Sequence, residues 1–248
     1  MARQAPVRDF APTVQRLRLQ YAKRGRLRFS SHRDFQRAFE RALRRAGVPI
    51  AFSAGFSPHP KVSYANAAPT GTASEAEYLE IGVTTLCDPA RLRLSLDDAL
   101  PPGLDIVDVV VAKSADFAAR LEASLWQIQF PGMTQKTLEE AITVFLDADE
   151  VLVERVMKQG KRIFDARAAV LVARVGISPE PVLGAECAIL TLVVRHSTPA
   201  VRPDDVLAAL RRVADLVPPT PPRVTRLAQG PLAPDGQGVG DPLELDRE

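Results

Sequence analysis

The chain has 248 residues, of which 46% are apolar and 25% charged, the proportions of an ordinary globular protein. Its 32 Lys and Arg against 30 Asp and Glu leave a net charge of +2, which excludes a bulk polycation. No apolar run approaches membrane-spanning length and residues 1–13 lack the apolar stretch of a signal peptide, so a cytoplasmic protein without a membrane partner is expected.

The charge is unevenly spread. Eleven basic residues fall between Val14 and Arg45, and only Asp34 and Glu40 oppose them there. A local excess of this kind binds polyanions even when the total charge is small.

Residues 1–13 read as a loose arm. Val14 to Tyr21 alternates apolar and polar residues, as a half-buried strand does. Lys23 to Arg26 is a basic turn, and Leu27 to Phe29 extends a strand. Ser31 stands where an N-cap belongs, with Asp34 three residues on in a capping-box position. The helix that follows runs to Ala46, where Gly47 and Pro49 end it. At about 100° per residue, Arg33, Arg37, Arg41 and Arg44 fall on one side of it. Phe35, Ala38, Phe39, Ala42, Leu43 and Ala46 gather on the other. One face packs and the other presents guanidinium groups.

Phe52 to Tyr64 forms a loop rich in hydroxyls. Pro58 and Pro60 fix the backbone on either side of His59. Lys61 to Ala68 and Glu77 to Thr84 then read as strands, Pro89 to Leu100 as a helix, and Leu104 to Ala112 as a strand. This β-α-β-β-α-β order is the ferredoxin-like one.

The second half repeats the order loosely. Ala123 to Phe130 is a strand and Thr134 caps a helix reaching Phe145. Val151 to Met157 and Arg162 to Ala166 form a hairpin. Glu186 to Arg195 is a strong strand. Arg202 to Leu216 is a helix with Asp204 and Asp205 in its first turn, as the helix dipole prefers. Arg223 to Leu227 closes the series. The expected fold is therefore α+β: two tandem ferredoxin-like halves over residues 14–112 and 122–227. Residues 228–248 hold Gly, Pro and Asp with little to bury, and are expected to be a disordered tail.

Ser31-His32-Arg33-Asp34, Phe39-Glu40-Arg41-Ala42-Leu43-Arg44-Arg45-Ala46-Gly47-Val48-Pro49 and Phe52-Ser53-Ala54-Gly55-Phe56-Ser57-Pro58-His59-Pro60 together resemble a bacterial family, the radical SAM-linked domain of unknown function. Pro69-Thr70-Gly71, Ser74 and Glu77-Tyr78-Leu79-Glu80 continue the match, which covers residues 14 to 227. The family domain occurs alone or fused behind a radical SAM protein with a B12-type domain. Its standalone members lie beside genes for a ribonuclease of the E/G type and for ribosomal proteins. The resemblance thus implies a role near RNA or ribosome metabolism, or as the partner of a radical SAM/B12 enzyme. It brings no established activity. Cys87 and Cys187 cannot supply the three closely spaced thiolates of a radical SAM cluster, so this chain is not itself such an enzyme.

The candidate anion site collects Arg33, Arg37, Arg41 and Arg44 from the helix with Ser53, Ser57, His59, Lys61 and Ser63 from the loop. Arginine offers forked donors to phosphate, lysine a point charge, and serine hydroxyl contacts. His32, His59 and Glu80 are the candidates for acid–base catalysis. Their spacing is not that of metal ligands, so no metal is expected. No phosphate loop, dinucleotide fingerprint or nucleophile elbow appears, so no cofactor is expected either. No motif of a DNA sequence reader is present. Trp126 reads as core and His196 as a turn residue. The functional expectation is an RNA-binding or ribosome-associated module. The alternatives are an accessory or substrate-presenting protein for a radical SAM/B12 enzyme, and an RNA-processing enzyme using His32 and His59.

Overall fold

Strand β1 (Gln15–Lys23) opens the first of two compact units in the computed structural model, which describes residues 11–54, 56–157, 160–182 and 184–247. The predicted arm lies outside these residues up to residue 10. One unit is Met1–Ala118 with Leu243–Glu248, and the other is Ala119–Pro242.

In the first unit β1 is followed by α1 (His32–Arg45), β2 (Val62–Ala65), β3 (Ala73–Val83), α2 (Pro89–Ala99) and β4 (Leu104–Val111). β1 pairs antiparallel with β3 and β4, and β2 pairs antiparallel with β3, giving the order β4-β1-β3-β2. Alternation decides which face is buried. Leu17, Leu19 and Tyr21 of β1 and Leu79, Ile81 and Val83 of β3 meet Phe35, Phe39 and Leu43 of α1 and Leu92 and Leu96 of α2. Tyr21 stacks on Phe35 with ring centroids 4.0 Å apart.

Leu27 to Phe29 departs from the expected strand. It belongs to a 3-10 helix, Gly25–Phe29. Gly25 takes φ +53, a turn open to glycine, and the Arg24 amide donates to the Gly103 carbonyl at 2.8 Å. The chain turns there toward α1 rather than prolonging the ladder.

The second unit contains β5 (Ala123–Pro131), α3 (Gln135–Asp147), β6 (Leu152–Met157), β7 (Gly160–Asp165), β8 (Val170–Ile177), β9 (Cys187–Arg195), α4 (Pro203–Ala214) and β10 (Arg223–Gly230). Its antiparallel order is β10-β5-β9-β8. β6 and β7 pair only with each other, as a separate hairpin. The strand that fills the sheet position beside β9 is β8, which the sequence reading passed over. Ile128, Phe130, Leu138, Phe145, Leu190 and Leu210 form the core of this unit, with Trp126 buried at its edge as expected.

The tail is ordered, contrary to the expectation from its composition. Leu232 and Val239 bridge each other and pack on Ala123, Val172 and Val193. Pro242 and Leu243 are buried, and α5 (Glu244–Arg247) lies against the first unit. Most of the few apolar residues here are used, Leu245 staying exposed, which a count of Gly and Pro does not reveal. Gly230 makes this path possible. A Cβ there would collide with the Gly240 carbonyl oxygen and stand 2.9 Å from Pro242 Cδ. Gly230→Ala should therefore cost about 1–3 kcal/mol through overpacking, read as a lower urea midpoint. A midpoint equal to that of the unsubstituted protein would mean the segment gives way freely.

Candidate nucleic-acid interface

α1 starts at a reciprocal cap. Ser31 Oγ accepts the Asp34 amide at 3.2 Å, and the Asp34 carboxylate accepts the Ser31 amide at 3.2 Å. The Ser31 hydroxyl and amide hold the Asp34 carboxyl below the usual carboxylate range. Asp34 is thus engaged at the cap. Glu40 is half-buried and lies close enough to Tyr64 to help burial push the phenol up.

The apolar stripe of α1 is consumed by the core, so the guanidinium face is left to solvent. Arg33, Arg37, Arg41 and Arg44 are all exposed. Among the described residues no carboxylate lies within salt-bridge distance of any of them. Arg33, Arg37 and Arg41 recur every four residues, a rise of about 6 Å each along the helix. That is close to the separation of successive phosphates on one nucleic-acid strand.

Exposed aromatic side chains occur in the segments that precede and follow α1 in sequence. Phe29 is 63% exposed, with the Arg28 guanidinium over its ring at 5.1 Å. His32, at the first turn of α1, is exposed and meets Tyr64 edge-on at 4.8 Å, while its Nε2 lies 3.2 Å from Gln36 Nε2. Phe56 is 66% exposed at the loop after α1, and Phe52 is exposed as well.

That loop is a short two-stranded excursion. Phe52 bridges Pro60, the Ser53 amide donates to the His59 carbonyl at 2.8 Å, and the His59 amide donates to Ser53 Oγ at 3.0 Å. Ser53 therefore serves the loop. Ser57 and His59 are exposed, and among the described residues no side chain bonds to the His59 imidazole.

Lys61, Ser63 and Glu80 lie elsewhere. Tyr64 and Val62 pack toward the helices, so Ser63 and its register partner Glu80 point to the opposite face of the sheet. There Lys61, Ser63, Glu80, Thr13 and Arg16 line one cavity. Glu80 pairs with Arg18 at 3.1 Å and Arg16 at 3.5 Å. His32 and Glu80 are on opposite faces of the sheet, so the three catalytic candidates do not converge. Among the described residues no cluster of three metal-ligating side chains occurs.

The sequence reading missed Arg16, Arg18 and Thr13. Alternation along β1 places both arginines on the face away from the core, but only the β1–β3 register brings them to Glu80. This sheet face is closed to a nucleic-acid strand near Arg18. Arg18, Tyr78 and Phe117 are buried, with the Arg18 guanidinium 4.9 Å from the Phe117 ring centre.

His196 is a half-buried tie rather than a bare turn residue. Its Nδ1 lies 2.6 Å from the Leu121 carbonyl and its Nε2 2.8 Å from Ser124 Oγ. A carbonyl only accepts, so Nδ1 carries the proton. Burial lowers the imidazole below its ordinary value, against the raising effect of the Leu121 carbonyl, and nearby Arg226 adds to the lowering. A lowered histidine contributes stability that is full above its unfolded value, about pH 6.5, and declines as the pH falls toward the folded value. His196→Gln should therefore lose less stability than the unsubstituted protein between pH 7.5 and 5.5, measured by urea unfolding. Equal losses would exclude His196 as the source.

The antiparallel strands and helices of each unit define an α+β protein that carries a basic helix face. The family described as "Uncharacterized protein conserved in bacteria (DUF2344)" matches residues 16–203, and the chain belongs to it. No curated protein matches the chain. A crystal structure of an unknown protein from Galdieria sulphuraria is 14% identical over 86% of this chain and 96% of that one, with a TM-score of 0.25. DyPB from Rhodococcus jostii RHA1 is 12% identical over 81% and 84%, with a TM-score of 0.21. An encapsulated DyP-type peroxidase from Mycobacterium smegmatis is 11% identical over 92% and 94%, also at 0.21. Among the described residues no helix is long and apolar enough to cross a membrane.

Proposed function

We propose that the chain is an RNA-binding module of bacterial RNA or ribosome metabolism, acting in the cytoplasm, and that α1 is its contact surface. One observation carries this reading: four exposed arginines on one helix face, with no carboxylate partner among the described residues. Guanidinium groups in a row without a close ion-pair partner favour a phosphate backbone. Exposed Phe29 and Phe56 add rings on which unstacked bases can rest. Both units are assigned to the ferredoxin-like class on their strand orders, β4-β1-β3-β2 and β10-β5-β9-β8. The fold alone selects no function, so the reading rests on the side chains.

A role as accessory to a radical SAM/B12 enzyme draws on the family resemblance and on no feature of the site. An RNA-cleaving pair of His32 and His59 has no contact between them to support it. The reading is tested by cross-linking the protein to RNA in cells and sequencing what is recovered, beside a variant with Arg37→Ala, Arg41→Ala and His59→Ala. Specific ribosomal or transfer RNA fragments, lost in the variant, are expected. Recovery no better than a non-binding control would leave the protein-docking role ahead.

A further inference from the structure

We propose that the cavity on the outer face of the first sheet binds the phosphate monoester of a nucleotide. The site is separate from the arginine face of α1 and does not depend on it. The cavity measures about 240 Å³ and is bounded by Thr13, Arg16, Lys61, Ser63, Glu80 and Gly82.

Gly82 forms its floor. The Gly82 backbone needs no glycine conformation, but the space does. A Cβ there would lie 3.0 Å from Thr13 Cγ2 and 3.5 Å from Lys61 Cβ. The missing side chain lets Thr13 and Lys61 close over the floor, where Lys61 Nζ donates to Thr13 Oγ1 at 3.0 Å. The Gly82 amide also donates to the Lys61 carbonyl at 3.0 Å, which fixes the base of that side chain.

The charges favour an anion. Glu80 is already paired with Arg18 and Arg16, so its carboxylate is neutralised before any ligand enters. Arg18 is itself shared with Asp246. Arg16, Arg18 and Lys61 against Glu80 and Asp246 leave one positive charge at the cavity. Among the described residues the Lys61 ammonium has no carboxylate partner. Arg16 keeps most of its donor fork, since its one ion pair is long, at 3.5 Å.

The number of donors selects phosphate over carboxylate. A guanidinium, an ammonium and the hydroxyls of Thr13 and Ser63 surround one space. A carboxylate has two oxygens to offer them, whereas a phosphate monoester has more acceptors and a tetrahedral spread. Glu80, opposite Ser63 in the β2–β3 register, faces the same space as an acceptor. It suits the hydroxyls of a sugar. The volume holds a phosphate and the sugar that bears it, with the base toward solvent.

The shared chemistry is a 5′-phosphate, from a free nucleotide or from the end of an RNA strand. Amide shifts of Val62, Ser63 and Gly82 in the full isotope-labelled chain would be followed during titration with adenosine 5′-monophosphate, adenosine, and an RNA trinucleotide with or without a 5′-phosphate. The monophosphate should move these amides and adenosine should not. Lys61→Met should weaken binding about tenfold, the loss of one charge-assisted hydrogen bond. Ser63→Ala, an exposed substitution with little risk to folding, should weaken it less. Arg37→Gln with Arg41→Gln should leave it unchanged, which separates this site from α1. A response to the phosphorylated trinucleotide as well would assign an RNA end. A response to the monophosphate alone would assign a free nucleotide. Equal response to adenosine, no response at these amides, or undiminished binding by the Lys61→Met protein would overturn the proposal.

Discussion

Asp246→Ala should destabilise the protein by about 3–5 kcal/mol, the cost of leaving a buried charge without its partner. Asp246 stands near the end of the chain, yet its side chain is fully buried in the first unit. Its carboxylate accepts Arg18 Nη1 at 2.7 and 2.5 Å, Ser114 Oγ at 2.7 Å, and the amides of Lys113 and Ser114 at 3.0 and 3.2 Å. The Arg18 side chain is only 3% exposed. Removing Asp246 leaves Arg18 with Glu80 and the Ser114 oxygens but strips its closest anion. Burial alone would raise the Asp246 carboxyl. The bonds from Arg18, Ser114 and the two amides outweigh it and hold the group well below the ordinary range. A carboxyl lowered on folding contributes stability above its unfolded value, near pH 4, and loses it as the pH falls toward the folded value.

Two measurements check this. Urea unfolding at pH 7 should show the loss in Asp246→Ala, and the acid-dependent fall below pH 4 should be shallower in that variant. Arg18→Met combined with Asp246→Leu should recover part of the loss, because the buried cation is gone as well. A single variant as stable as the parent would mean that Arg18 finds water or another anion once the tail is released.

The parts of this fold legible in sequence are those where local chemistry and tertiary packing agree. The Ser31–Asp34 cap, the arginine stripe of α1 and the alternation of β1 were readable because each depends on residues a few positions apart. Leu27 to Phe29 was not readable, since its apolar residues suit a strand and only the Gly103 contact to Arg24 turns the chain away. β8 was hidden by its neighbour. The β6–β7 hairpin supplies the strands that the β-α-β-β pattern asks for, so Val170 to Ile177 stays unassigned although it is almost wholly apolar. The tail was misread because composition counts residues and not where they land. Leu243 is buried, and Asp246 is held by Arg18, Lys113 and Ser114, more than a hundred residues away in sequence.

The candidate site shows the same limit. Arg33 to Arg44 share a surface because one helix carries them. Lys61 and Ser63 were grouped with them through closeness in sequence. In β2, however, neighbouring side chains point to opposite faces, so Tyr64 meets His32 while Ser63 meets the cavity with Glu80. A strand separates what a sequence window joins. The pairing of Glu80 with Arg16 and Arg18 needs the β1–β3 register, which no local pattern specifies.

If α1 holds an RNA backbone, its binding must carry the signature of counterion release. Each phosphate neutralised on a single strand contributes about 0.7 to the slope of log affinity against log salt. Arg37→Gln with Arg41→Gln should flatten that slope by about 1.4 and weaken binding about tenfold or more at low salt. Both side chains are exposed and bond to no described carboxylate, so the variant should keep its unfolding midpoint. Arg37→Lys with Arg41→Lys should retain the slope, because the charge stays, and lose only the affinity that forked donors supply. Phe29→Ala separates stacking from charge. It should weaken binding by about 1–3 kcal/mol if a base rests on the ring, with the salt slope unchanged. Fluorescence anisotropy with a labelled single-stranded RNA over a range of potassium chloride reads all three. A double glutamine variant with an unaltered slope would place the phosphates away from α1. The basic helix would then be a solvated face.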